Sequence, residues 1–254
     1  MAAPGHAPPE PVAGTAPAGA GHAFDAATAA RIAAAFRAGR GHGSRAIWCY
    51  ARVKLGSDPL YPGVIAALRG CDAPLLDLGC GIGLLAHALR DAGLGMPYRG
   101  VDIDAPKIAH AVRAAASAGL HDVAFEAVDL SARMPAHSGS VAILDVLQFV
   151  SLQAQAAILD DAVAMLAPGA RLVIRTGLDD GSPRARFTRR IDVLSRALRW
   201  MNAGPQAYPD PDALRARFDA AGLSSTFAPL YGRTPFNNWL VVAERPAQSG
   251  NTLR

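Results

Sequence analysis

Seven consecutive residues, Asp77-Leu78-Gly79-Cys80-Gly81-Ile82-Gly83, combine one carboxylate with three glycines at the junction of an apolar run and a helical stretch. Glycine in such a turn lets the backbone come close to a ligand, and the start of the following helix offers free N–H groups to an anion. Two details narrow the ligand. A dinucleotide turn needs glycine or alanine at position 84, for close packing of helix on strand, and Leu84 stands there. Asp77, two residues before the first glycine, would repel a pyrophosphate. It would instead pair with an amino-acid ammonium, while the helix start faces the carboxylate of the same amino acid.

These charges suit S-adenosylmethionine (SAM), and two further acids extend the case. Asp102 closes the next apolar run, 23 residues after Gly79, where a carboxylate accepts both ribose hydroxyls. Ile103 beside it is placed to cover an adenine face. Asp129, with the Leu130 backbone next to it, can accept from the adenine amino group, or serve as a helix cap or solvated turn. Cofactor binding is therefore assigned to Asp77, Gly79, Cys80, Gly81, Gly83, Asp102, Ile103, Asp129 and Leu130, with no metal.

Methyl transfer from a sulfonium is an in-line displacement in which the protein chiefly aligns the reactants and excludes water, so no obligatory triad is expected. A phenol or amine acceptor would still gain from a base. Asp145 and Gln148 follow the fourth apolar run, and ligands bind beyond the carboxyl ends of strands, which makes these two the catalytic candidates. His42 in a glycine-rich turn is a further possible base. His87 and His110 fall mid-helix among alanines and leucines and are expected to face solvent. Asp145-Val146-Leu147-Gln148 stands where enzymes acting on exocyclic amines of nucleic-acid bases carry an Asn-Pro-Pro-Tyr-like run. Tyr50, Lys54, Tyr61, Arg233, Phe236 and Asn237, with Tyr231 and Asn238, are the substrate candidates: flat rings for an aromatic body and polar groups for its far end.

The elements that position these residues alternate. Strands are expected at 74–78, 98–102, 123–128, 141–144 and 171–176, with helices between them ending near 92, 118 and 166; Asp104 and Pro106 form a cap and first-turn pair. Helices near 184–201 and 212–221 precede two strands, 224–229 and 237–243, joined by a turn and hence antiparallel. The order predicts an α/β, mainly parallel sheet with helices on both faces. Before it, helical stretches at 24–40, 45–55 and 60–68, the last started by Ser57-Asp58-Pro59, form an N-terminal helical cap. The expected organisation is a disordered Ala/Pro/Gly tail at 1–23, the cap at 24–70, the SAM-binding domain at 71–246 and a flexible tail at 247–254.

Taken as a set, these motifs resemble the class I SAM-dependent methyltransferases. Asp77 to Gly83 is similar to that family's first motif, Gly100-Val101-Asp102-Ile103-Asp104 to its second, Val128-Asp129 to its third acidic position, and Leu144 to Gln148 and Leu166 to Leu172 to its later segments. The resemblance spans about 74–176 and implies the family's fold, a Rossmann-like, mainly parallel seven-stranded sheet with the last strand antiparallel. Tyr50-Ala51-Arg52-Val53-Lys54-Leu55, Asp58-Pro59-Leu60-Tyr61 and Gly232 to Asn238 resemble small methyltransferases of bacterial aryl-polyene and related pigment clusters. That likeness implies a small aromatic or carrier-tethered acceptor and an acyl carrier protein as partner.

Composition limits the alternatives. The formal charge of +4 invites nucleic acid, but only Lys54 and Lys107 are lysines, and such arginine and alanine usage is what a GC-rich genome gives any protein. Arg184, Arg186, Arg189, Arg190, Arg196 and Arg199 form a solvated helix face or a surface for an acidic carrier. No apolar run reaches the roughly 18 residues that span a bilayer, and Cys49, Cys71 and Cys80 lack metal-type spacing, which fits a reducing cytoplasm. The competing readings are a nicotinamide oxidoreductase, disfavoured by Leu84 and Asp77, a SAM-binding partner without catalysis, and a nucleic-acid methyltransferase.

Overall fold

Apolar runs separated by Gly- and Pro-marked turns become the strands of one sheet, β1 (Leu75–Leu78), β2 (Tyr98–Asp102), β3 (Val123–Ala127), β4 (Ser140–Leu144), β5 (Arg171–Gly177), β6 (Ser224–Pro229) and β7 (Asn238–Glu244). Their spatial order is β3-β2-β1-β4-β5-β7-β6, with β7 antiparallel to both its neighbours and the remaining pairs parallel. The computed structural model describes residues 21–37, 42–185, 207–232 and 236–247. The expected helix near 184–201 and the two tails lie almost wholly outside the described residues.

The helices are α1 (Ala26–Ala33), α2 (His42–Ser57), α3 (Leu60–Leu68), α4 (Leu84–Asp91), α5 (Ala105–Ser117), α6 (Leu152–Ala164) and α7 (Pro211–Ala220). Side chains that alternate along each strand feed two cores. On one face Leu75, Ala142, Leu144, Val173 and Leu240 pack with α1, α3, α4 and the end of α2. On the other, Leu76, Leu78, Val141, Ile143, Leu172, Ile174 and Val241 meet Ile158 and Leu159 of α6 and Leu214 and Phe218 of α7. Asp77 and Arg175 fall on the first face by the same alternation, and so point towards the N-terminal helices.

The first expected helix, at 24–40, is shorter than anticipated: α1 ends at Ala33 and tightens into a 3-10 turn, Ala34–Arg37. The next helix, α2, begins at His42, earlier than the expected 45, and residues 38–41 between the two lie outside the described residues. Asp25 caps α1 through a 2.7 Å bond from the Thr28 amide, and Asp104 caps α5 by accepting from Lys107. The N-terminal helices share the core on the first face of the sheet. Ile32, Phe36, Leu55, Tyr61, Val64 and Leu68 are buried in the same core as Leu85 and Leu89 of α4.

His87 corrects the expectation of a solvent-facing side chain. It is 5% exposed, and its ring lies 4.8 Å from that of Phe36. The reason is the 3-10 turn, which carries Phe36 onto α4 and covers the helix face that sequence spacing left open. Burial holds the imidazole down at about 4, against its ordinary 6.5. The unfolded chain therefore takes up a proton on this ring at a higher pH than the folded chain does, and the ring's contribution to stability falls as pH drops from 6.5 towards 4. Urea unfolding at pH 7.5 and 5.0 is expected to show His87→Leu losing less stability than the parent, by on the order of 1–2 kcal/mol. Equal losses would show that the ring is not buried in its neutral form.

Candidate active site

The glycine turn joins β1 to α4 at the carboxyl edge of the sheet. Gly79, Gly81 and Gly83 all have positive φ, at 80°, 57° and 79°. The first and third are also fixed by packing: a Cβ on Gly79 would lie 2.3 Å from Val146, and one on Gly83 would lie 2.6 Å from the Phe125 ring. A Cβ on Gly81 would meet nothing within 4 Å, so the turn opens onto space at that residue. Gly83 starts α4 with no side-chain cap, leaving the first helical N–H groups available to a ligand. The amides of Gly79 and Cys80 donate to the Val101 carbonyl at 2.8 and 2.9 Å, tying the turn to the end of β2.

Asp77 is 2% exposed. Its Oδ2 accepts a 2.6 Å hydrogen bond from the Tyr98 hydroxyl, and its Oδ1 has no partner. Burial pushes its carboxyl up to about 7, against the opposing pull of the Tyr98 hydrogen bond. A buried carboxylate oxygen without a donor is costly unless a ligand supplies one, so this atom suits the ammonium end of SAM. Asp102 accepts from the Gly81 amide with Oδ2 and from the Asp104 amide with Oδ1, both at 2.9 Å, which fixes the carboxylate beside the turn. Ile103 is 68% exposed, an apolar side chain uncovered at the same edge. Asp129 is exposed and accepts from the Ser131 amide and hydroxyl, and Leu130 follows it half-buried. The residues present thus fit SAM: an unpartnered buried acceptor, an open glycine turn, a free helix start and a carboxylate at the end of β2.

Beyond the carboxyl ends of β4 and β5 lies a cluster of four charges. Lys54 Nζ stands 2.6 Å from Asp58 Oδ2 and 3.3 Å from Asp145 Oδ2. Arg175 pairs with Asp58 at 3.0 Å and with Asp145. Asp58 also accepts from the Leu60 amide at 3.0 Å, so one carboxylate both starts α3 and holds the cluster. Burial disfavours the ionised form of Asp145, but the charges of Arg175 and Lys54 outweigh it and hold its carboxyl below the usual range. Asp145 sits at φ 59°, a left-handed conformation that aspartate tolerates better than most residues. Its amide donates to the Arg175 carbonyl at 2.8 Å. The Asp145 side chain is 27% exposed, against 5% for Arg175, so its carboxylate is the more open part of that pair.

Tyr61 is buried at the start of α3, and burial first, then the charges of Tyr50, Asp145, Asp58 and Asp77, push the ionisation of its hydroxyl well above the ordinary range, so it feels both groups. Tyr50 is 55% exposed, one turn before Lys54 on α2. The structure thus brings Tyr50, Lys54, Tyr61 and Asp145 together. Gln148 accepts from the Thr176 hydroxyl at 3.1 Å. Asn237 is 1% exposed and donates to the Leu178 carbonyl and to Asp180 Oδ2, while Trp239 donates to its carbonyl. Phe236 is half-buried, and its carbonyl accepts from Arg184. Arg233 and the side chain of His42 lie outside the described residues.

Sequence reasoning missed Arg175, Asp58 as a charge partner, and Tyr98. Arg175 had a signal in principle, since it interrupts the run Leu172-Val173-Ile174 inside a strand covered on both faces. Gln155 was also missed. Buried in α6, it donates to the carbonyls of Leu147, Val150 and Ala207 and so pins the segment that carries Gln148.

A family model described as a methyltransferase domain matches residues 75–169. The demethylmenaquinone methyltransferase of Thermus thermophilus is 31% identical over 175 residues, covering 62% of this chain and 77% of that protein. Among solved structures, an O-methyltransferase family protein from Burkholderia thailandensis superposes with a TM-score of 0.60 at 18% identity over 86% of this chain. The chain spans 62% of that protein's length. Magnesium protoporphyrin IX methyltransferase from Synechocystis PCC 6803, solved with bound S-adenosylhomocysteine (SAH), gives 0.58 at 18% identity, covering 85% of this chain and 92% of that one. At such identity the structural likeness concerns the fold alone.

Proposed function

Because the chain belongs to the class I SAM-dependent methyltransferases, we propose that it transfers a methyl group from SAM to a small acceptor, aromatic or tethered to an acyl carrier protein. The observation that carries the cofactor end of this reading is the unpartnered Oδ1 of buried Asp77 beside the open glycine turn. When bound, SAM supplies an electrophilic methyl on a sulfonium. Asp77 would hold the ammonium, the uncapped start of α4 would face the carboxylate, and Asp102 would accept from the ribose. Ile103 covers the adenine, with Asp129 and the Leu130 backbone at its amino edge.

The acceptor lies on the side of Tyr50, Lys54, Tyr61 and Asp145. Held ionised by two cations, Asp145 is suited to accept a hydrogen bond from a hydroxyl or amine and orient it, more than to remove a proton outright. Gln148, which follows Asp145 in the same segment and is held by the Thr176 hydroxyl, is a second candidate group for the acceptor. The names of similar proteins, a demethylmenaquinone methyltransferase and a magnesium protoporphyrin IX methyltransferase, support a small ring-bearing acceptor over a nucleic acid. The three cysteines are free, which suits a reducing compartment such as the cytoplasm. Among the described residues no helix is long and apolar enough to cross a membrane.

Incubation with methyl-labelled SAM and, in separate arms, small phenols and quinols, carrier-bound aryl acids, and RNA tests this reading. Label is expected in the first or second arm. Label in RNA alone would overturn the acceptor class, and SAH binding without transfer in any arm would favour a SAM-binding partner protein.

A further inference from the structure

Asp77 lies within reach of several ionisable groups, and none of them is a cation paired with it. From β2 come the Tyr98 hydroxyl, at 2.6 Å on Oδ2, and the Asp102 carboxylate. From the turn comes the Cys80 thiol, and from α3 the Tyr61 hydroxyl. The cations of this region are already paired: Lys54 and Arg175 are shared between Asp58 and Asp145, and Lys107, whose charge reaches the Cys80 thiol, pairs with Asp104. Burial pushes the ionisation of Tyr98, Tyr61 and Cys80 to higher pH, so all three remain neutral. A carboxyl that is 2% exposed, with one oxygen unpartnered and no counter-ion, is more stable with its proton on.

We propose that Asp77 is a neutral acid in the free protein and releases its proton to solvent as the cofactor's ammonium docks, so that cofactor binding is coupled to the loss of one proton. This rests on the assignment of Asp77 to the ammonium end of SAM. The change balances as protein–COOH plus ligand–NH3+ giving the carboxylate–ammonium pair and one solvated proton. Tyr98 has a defined part in it: its hydroxyl donates to Asp77 in either state, and more strongly to the carboxylate, which sets the pH at which the proton leaves. The carboxyl's value of about 7 puts that window in the neutral range.

Isothermal titration of SAH into the full-length protein at pH 6.0, in two buffers of different ionisation enthalpy, reads the proton directly. At that pH the ligand's own amine is fully protonated. Close to one proton released per SAH bound is expected, with affinity rising towards tenfold per pH unit below 7 and levelling above it. Asp77→Asn should bind SAH more weakly, with no proton released and a flat pH profile. Tyr98→Phe should keep the release but move its midpoint to higher pH, and this variant retains the test if Asp77→Asn does not fold. SAH binding to the parent without proton release overturns this inference and leaves the cofactor site standing. No SAH binding at any pH overturns both.

Discussion

Replacing Arg175 with methionine is expected to lower stability by about 3–5 kcal/mol, because Asp58 and Asp145 are then left with only Lys54 between them. Methionine keeps much of the length and apolar bulk of the arginine stem, so the loss reports the charge rather than a cavity. For a chain of this size the change corresponds to a fall in Tm of roughly 10 °C, readable by thermal unfolding. Adding Asp58→Asn to Arg175→Met removes the second uncompensated carboxylate while leaving an acceptor for the Leu60 amide. The double variant should therefore recover part of the loss, since partners in one network do not add independently. A single-variant loss below about 1 kcal/mol would place the cluster among ordinary surface ion pairs.

Gly81→Val is expected to abolish SAH binding while sparing the fold, and that separation identifies the turn as a binding element. At φ 57° a valine is strained by about 1–2 kcal/mol, yet its Cβ meets no atom within 4 Å. The side chain projects into the space at the turn, so affinity should fall by at least a hundredfold, about 2.7 kcal/mol. Gly83→Val provides the contrast. Its Cβ would lie 2.6 Å from Phe125, so it should damage stability and binding together. Titration of SAH into both variants, alongside their unfolding curves, gives the comparison. Unchanged affinity in Gly81→Val would remove the turn from the cofactor site.

What was legible in the sequence follows the range of the interactions involved. The central strands and the glycine turn are local matters: β1, β4 and β5 are built on short apolar runs bounded by breakers, and Asp77 lies within seven residues of every glycine in its turn. The antiparallel placement of β7 followed from the short connection before it. The charge cluster was half legible. Lys54 and Asp145 were singled out, each on local grounds, but Arg175 lies 117 positions from Asp58, and only the fold brings them together. His87 was misread because its cover comes from Phe36 in a different helix, 51 positions earlier. Asn237 shows the reverse. Its place near a turn suggested a group free to meet a substrate, whereas the folded chain surrounds it with Leu178, Asp180 and Trp239.

The position of β7 also bears on how the protein is made. It is the last of the seven strands to be synthesised, yet it lies between two others, bonded to β5 along Arg171–Gly177 and to β6 along Ser224–Pro229. A nascent chain on the ribosome can assemble β1 to β5 with the site's main residues in place, but β5 then presents an open edge of unpaired amides and carbonyls. Among the described residues no earlier strand occupies that edge, and β6 emerges without the neighbour it needs. The emerging polypeptide must pass through this exposed stage until about seventy more residues have followed β5, an interval in which strand-edge association with another chain competes with folding. Translation speed and chaperone supply over that final stretch would then govern the yield of folded protein more than any step before it.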